Sequence, residues 1–103
     1  MRSVRFAAYG GPEVLEVAEV DPPRPGPGQV RIAVRAAGVN PVDWKIRAGL
    51  LQQMMPLPLP AGSGQDAAGV VDRIGPGVTG VAVGDAVFGS GSDTYSEQAL
   101  LSV

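Results

Sequence analysis

The side chains best suited to chemistry cluster in the stretch AAGVNPVDWKIRAG, Ala36 to Gly49. Asn40 offers an amide that both donates and accepts hydrogen bonds. Lys45 is the single lysine beside seven arginines, and Trp44, the single tryptophan, directly precedes it. An ammonium on a flexible stem can donate to a ribose hydroxyl, a phosphate or a developing oxyanion. A second amide stands at Gln65, in GSGQDAAG. Each has a plainer reading beside the chemical one. Asn40 suits a helix N-cap, Lys45 suits a solvated helix face, and Trp44 suits a half-buried position.

The missing residue types narrow the chemistry. The chain has no cysteine and no histidine. That excludes disulfides, thiolate nucleophiles, Cys/His zinc sites and a Ser-His-Asp triad. Six aspartates remain, Asp21, Asp43, Asp66, Asp72, Asp85 and Asp93, with the spacing of no known metal loop. They read as turn and surface carboxylates, so no metal ligand is assigned. Gly62 to Ala67 matches G-x-G-x-x-A, but a dinucleotide fingerprint needs a strand before it and a helix after it. Here a proline-rich loop precedes and the strand-like GVVDRIG follows, so this segment is expected to be a tight turn entering a strand.

The elements that must position these residues are mostly short strands. QVRIAVRA alternates, with Val30, Ile32, Val34 and Ala36 on one face and Gln29, Arg31, Ala33 and Arg35 on the other. Val4–Tyr9 and Glu13–Val20 are further strand candidates, separated by a Gly-Gly-Pro turn. DPPRPGPGQ between them and QVRIAVRA is a stiff connector, because its prolines and glycines exclude a central strand or helix. A helix is expected near residues 41–48. Asn40 is its cap, Pro41 its first residue, Asp43 the third residue after the cap, and Gly49 its stop. Val42 and Ile46 share one face at i, i+4. Leu50 to Pro60 is a proline-spaced loop. Ala67–Val78 reads as a buried strand running into Gly-Pro-Gly, and GDAVFG and DTYSEQALLSV supply two more strands. The 15 glycines and 10 prolines punctuate apolar segments, the pattern of a small, mainly β, barrel-like domain.

The 103 residues suffice for one domain, and 45% are hydrophobic. The net charge of −2 comes without a basic run, which disfavours nucleic acid. No apolar run approaches the length of a membrane span, and MRSVRFAAYGGPEV has no signal core. Both features fit a cytoplasmic protein.

Three segments, YGGPEVLEVAEV, GVNPVDWKIRAG and GSGQDAAGVVDRIGPGVTGVAVGDAVFG, give the chain a family likeness over nearly its whole length. It resembles the N-terminal, GroES-like catalytic domain of medium-chain dehydrogenases/reductases. Within them it looks like the zinc-free branch of NADPH-dependent quinone oxidoreductases and alkenal reductases. The resemblance implies a partly open β-barrel with one short helix, filling residues 1–103. It places Asn40 where the zinc enzymes have a cysteine ligand, and Gln65-Asp66 where they have His-Glu. Amides are poor zinc ligands. By the same resemblance Asn40 and Lys45 face the nicotinamide cofactor, NADPH, and Asn40, Lys45 and Gln65 form the catalytic shell. Trp44 and Leu50 belong to an apolar substrate pocket.

The resemblance further implies hydride transfer to a quinone or an α,β-unsaturated carbonyl by the full-length enzyme, and no membrane partner. The family's Rossmann cofactor domain has no counterpart in these residues, so this chain alone is expected to be inactive and not to bind NADPH. The family completes its catalytic domain with segments that return after the Rossmann domain. Residues 1–103 alone are therefore expected to leave a strand edge open and to self-associate through it. The rival reading is a non-enzymatic, stand-alone GroES-like module or fragment for binding or oligomerisation.

Overall fold

Strand β1 (Arg2–Phe6) starts two residues before the expected Val4–Tyr9 and ends three residues sooner, and the reason is packing. Ser3 and Phe6 are the residues it buries, and Phe6 is 1% exposed. Ending there turns Ala7 to Gly11 into a bend, and a 3-10 turn takes Pro12–Val14. Strand β2 (Leu15–Glu19) therefore begins later than Glu13. It pairs antiparallel with β1 in a register that sets Arg2 opposite Glu19 and Arg5 opposite Glu16. Opposite charges across a strand pair favour that register. The computed structural model describes all 103 residues.

Strand β3 (Gln29–Ala37) follows the Pro/Gly connector. Val30 and Ile32 are buried as the alternation requires, but Ala36 is exposed. Register irregularities fall between Arg31 and Ile32 and between Val34 and Ala36, and they shift the inward face before the strand ends. Helix α1 (Pro41–Arg47) comes next, with Ala48 as its C-cap. Gly49, at φ +85°, provides the left-handed stop that only glycine adopts cheaply.

Strand β4 is only Ala61–Gly62 and completes the sheet β2-β1-β4. No periodicity could reveal two residues. Strand β5 (Asp66–Ile74) buries Ala67, Gly69 and Val71 in strict alternation. Strands β6 (Ala86–Ser92) and β7 (Gln98–Ser102) finish the chain.

Strands β3, β5, β6 and β7 pair antiparallel around a ring. Its β6–β7 seam is thin, consisting of Gly91 opposite Leu101 and Ser92 opposite Leu100. Inside pack Val30, Ile32, Ala67, Val71 and Leu101, with Val34, Ile74, Val78, Val81 and Val87 against them. The three-stranded sheet beside the ring is open, and the outer edge of β2 carries no partner strand. This is the mainly β, partly open, barrel-like fold with one short α-helix that the sequence implies. The segment Tyr95–Glu97 joins the two units. Val4 N–H donates to Tyr95 O at 2.8 Å, Glu97 N–H to Arg2 O at 3.0 Å, and the hydroxyls of Ser3 and Ser96 meet at 2.7 Å.

Candidate active site at the start of helix α1

Asn40 stands between the end of β3 and helix α1, in extended backbone at φ −122°, ψ 154°. Asn40 and Asp43 are arranged as a capping box, and its well-formed arm belongs to Asp43. Asp43 Oδ2 accepts the Asn40 N–H at 2.8 Å. The carboxamide of Asn40 donates elsewhere, from Nδ2 to Asp66 Oδ2 at 2.7 Å. The side chain thus links the first turn to a carboxylate at the start of β5. Asp66 had read as a surface or turn residue; it is exposed, and it anchors the amide while its backbone O accepts Gly38 N–H at 2.9 Å.

Asp43 is the buried residue beside the candidate site that its sequence reading as a turn or surface carboxylate did not reveal. It is only 7% exposed, the sole buried residue of α1. The Tyr95 hydroxyl, 2.9 Å from Asp43 Oδ2, also lies 3.2 Å from Gly38 O. Burial raises the phenol's pKa to about 12, and the hydrogen bond to Asp43 and its negative charge push the same way. Tyr95 is therefore a neutral donor throughout the physiological range. Tyrosine scarcity was its only signal in the sequence, since Tyr9 and Tyr95 are the two present.

Gln65 comes near α1 through a cleft of about 170 Å³, lined by Asp43, Ile46, Met55, Leu57, Gln65 and Asp93 among others. Gly64, at φ +93°, makes the turn before it, and β5 follows, so the G-x-G-x-x-A segment is a turn entering a strand. Asp85 is likewise a turn carboxylate, accepting Ala82 N–H at 2.9 Å.

The structure gathers Asn40 and Gln65 onto segments tied together by Asp66. It leaves the other candidates further out. Lys45 is exposed, with Nζ 5.8 Å from the Trp44 ring centroid, and it joins none of the four ion pairs. Trp44 is 46% and Leu50 64% exposed, and neither lines the cleft beneath α1; Met55 and Leu57 supply its apolar wall. A second cleft of about 300 Å³, lined by Arg5, Asp93 and Gln98 among others, lies beyond Asp93 and contains no candidate residue.

A small β-barrel flanked by an open sheet, with one capped helix presenting amide and ammonium groups, is a GroES-like domain. The chain belongs to the alcohol dehydrogenase GroES-like domain family, whose model matches residues 26–100. It is 45% identical to a quinone oxidoreductase of Pseudomonas aeruginosa, over 97% of this chain and 30% of that protein. It is 43% identical to the human quinone oxidoreductase, over 97% of this chain and 31% of that protein. The structure of the Escherichia coli quinone oxidoreductase complexed with NADPH superposes with a TM-score of 0.88 at 35% identity, covering 98% of this chain and 31% of that one. A mycobacterial protein complexed with NADPH gives a TM-score of 0.91 at 33% identity, covering 100% of this chain and 32% of that one. The chain therefore spans about a third of the length of these relatives.

Proposed function

We propose that this chain is the substrate-side domain of a zinc-independent, NADPH-dependent oxidoreductase that reduces a quinone or an α,β-unsaturated carbonyl. The observation that carries the proposal is the pairing of Asn40 with Asp66 beside Gln65, on a domain 45% identical to a quinone oxidoreductase. The donor set fits a hydrogen-bonding, anionic cofactor. Asn40 and Gln65 bring amides, and Lys45 has no carboxylate competing for its ammonium. Bound NADPH supplies a hydride from its nicotinamide.

The chain's own residues have two tasks in this reading. Asn40 and Lys45 orient the cofactor, and Asn40, Lys45 and Gln65 donate hydrogen bonds to the oxyanion that develops on the substrate. Trp44 and Leu50 bound the substrate's approach from the exposed side of α1. With neither thiolate nor imidazole available, the polarising role falls to these donors. Residues 1–103 hold no strand–GxGxxG–helix unit of the kind that grips a dinucleotide pyrophosphate, so in this reading the chain by itself is inactive and does not bind submillimolar NADPH.

The test uses the native polypeptide that carries this domain. NADPH consumption at 340 nm should depend on added quinone, Lys45→Ala should lower kcat/KM, and zinc in desalted protein should fall far below one equivalent. Absence of NADPH oxidation with both a quinone and an α,β-unsaturated carbonyl would favour the non-enzymatic module. A stoichiometric, chelator-resistant zinc would overturn the zinc-independent assignment.

A further inference from the structure

The two amides of the candidate site sit on different segments. Asn40 lies on Gly38–Asp43, and Gln65 follows Ser63 and Gly64 at the entry to β5. Besides Asp66, which accepts from Asn40 Nδ2 and Gly38 N–H, Tyr95 bonds to both segments. The backbone N–H of Tyr95 donates to Ser63 O at 3.0 Å, and that of Thr94 to Gly64 O at 3.4 Å. From the same backbone the Tyr95 phenol reaches across to Gly38 O at 3.2 Å and Asp43 Oδ2 at 2.9 Å. Asp43 Oδ2 in turn holds the Asn40 N–H. Gly64 makes the approach possible, because at its φ of +93° a Cβ would lie 2.7 Å from the Tyr95 ring.

We propose that Tyr95 is a positioning residue that fixes Asn40 relative to Gln65, clasping the helix start through its phenol and the Ser63–Gly64 turn through its backbone. The proposal rests on the reading of Asn40 and Gln65 as donors to cofactor and substrate. The phenol has one proton, and the shorter contact assigns it to the Asp43 carboxylate, the stronger acceptor. Losing that bond leaves the backbone clasp intact and leaves the turn that carries Asn40 held only by Asp66, through its carboxylate and its carbonyl, so the turn loosens. Reaction geometry is far more sensitive to such a shift than binding is, since a misplacement of about 1 Å can cost about a hundredfold in rate.

The experiment compares Tyr95→Phe with the unaltered native polypeptide, using NADPH and a water-soluble benzoquinone. The expected result is a kcat lowered about ten- to a hundredfold while the Kd for NADPH moves less than about threefold. A kcat within twofold of the parent overturns the proposal, as does an equal loss in kcat and NADPH affinity. Should Tyr95→Phe fail to fold, Asp43→Asn, which keeps an oxygen for the phenol without its charge, is expected to lower kcat about three- to tenfold with the same small change in Kd.

If the unaltered protein neither binds NADPH nor reduces quinone, the proposed function fails and the clasp is read directly. Hydrogen exchange at the Asn40 N–H is then expected to quicken about tenfold in Tyr95→Phe, the equivalent of one hydrogen bond, while β3 and β5 stay within twofold. Unchanged exchange at Asn40 overturns the clasp independently of any activity.

Discussion

Replacing Asp43 by asparagine should destabilise the domain by about 2 kcal/mol, although the two side chains are nearly the same shape. The carboxylate is 7% exposed, and its Oδ2 accepts two bonds, from Asn40 N–H at 2.8 Å and Tyr95 O–H at 2.9 Å. Bonds to a charged acceptor are worth about 1.5–3 kcal/mol each, roughly twice the neutral kind. Asparagine keeps an oxygen but loses the charge, which removes about half of each bond and about 1.5–3 kcal/mol over the pair. Two further effects oppose each other. The change removes the cost of burying a charge, but Oδ1 has no partner, so the new NH₂ becomes a buried donor with nothing to donate to.

At about 4–8 °C per kcal/mol for a domain this size, the thermal midpoint should fall by about 8–16 °C. Circular dichroism melts of the chain and of Asp43→Asn measure this, and Tyr95→Phe alone and combined completes a double-mutant cycle. A coupling of about 1 kcal/mol is expected, because both substitutions weaken the same bond. An unchanged or raised midpoint in Asp43→Asn would show that desolvation of the carboxylate outweighs its two bonds, and the argument from charge-assisted bonding would fail.

The Tyr95 phenol, with its pKa raised to about 12, should ionise as a late phase in an ultraviolet titration at 295 nm, and Tyr95→Phe should remove that phase. Because the folded pKa lies above the ordinary value near 10, the stability Tyr95 contributes is complete below pH 10 and is lost as pH rises from 10 through 12; a single early phase would refute the buried bond to Asp43. Gly69→Ala should cost about 3 kcal/mol or more, since a Cβ there would run into the Ala33 carbonyl oxygen across the β3–β5 pair. A midpoint within 2 °C of the parent would show that the two strands can part cheaply. The isolated chain should self-associate through the open edge of β2, where Val17 is 68% exposed, and more strongly in high salt, because each copy brings Glu16 and Glu19 to the contact. A monomer at every concentration in light scattering would refute that.

The sequence by itself determined whatever depends on neighbours along the chain. Asn40, Pro41, Asp43 and Gly49 mark the start and stop of α1 because capping, a fixed φ and a positive φ are local requirements. The alternation through Val30 and Ile32 gives β3, and the absence of cysteine and histidine settles which nucleophiles and ligands the chain can offer. The tertiary structure alone decided where the side chains of those elements point. Asn40 reads locally as a cap, yet its carboxamide also donates to Asp66, 26 residues away, a bond no local rule announces. Asp43 reads as a solvated first-turn acid, yet it is buried because Tyr95, 52 residues further on, supplies a donor. The frame of β1 shifted because Ser3 and Phe6 found their partners in Ser96 and the core, and β4 exists only because β1 offered an edge at Arg5 and Phe6. A hydrogen bond between residues that far apart leaves no period or spacing in the chain; it arises only when the fold closes and each buried polar group must be paired by whatever lies opposite.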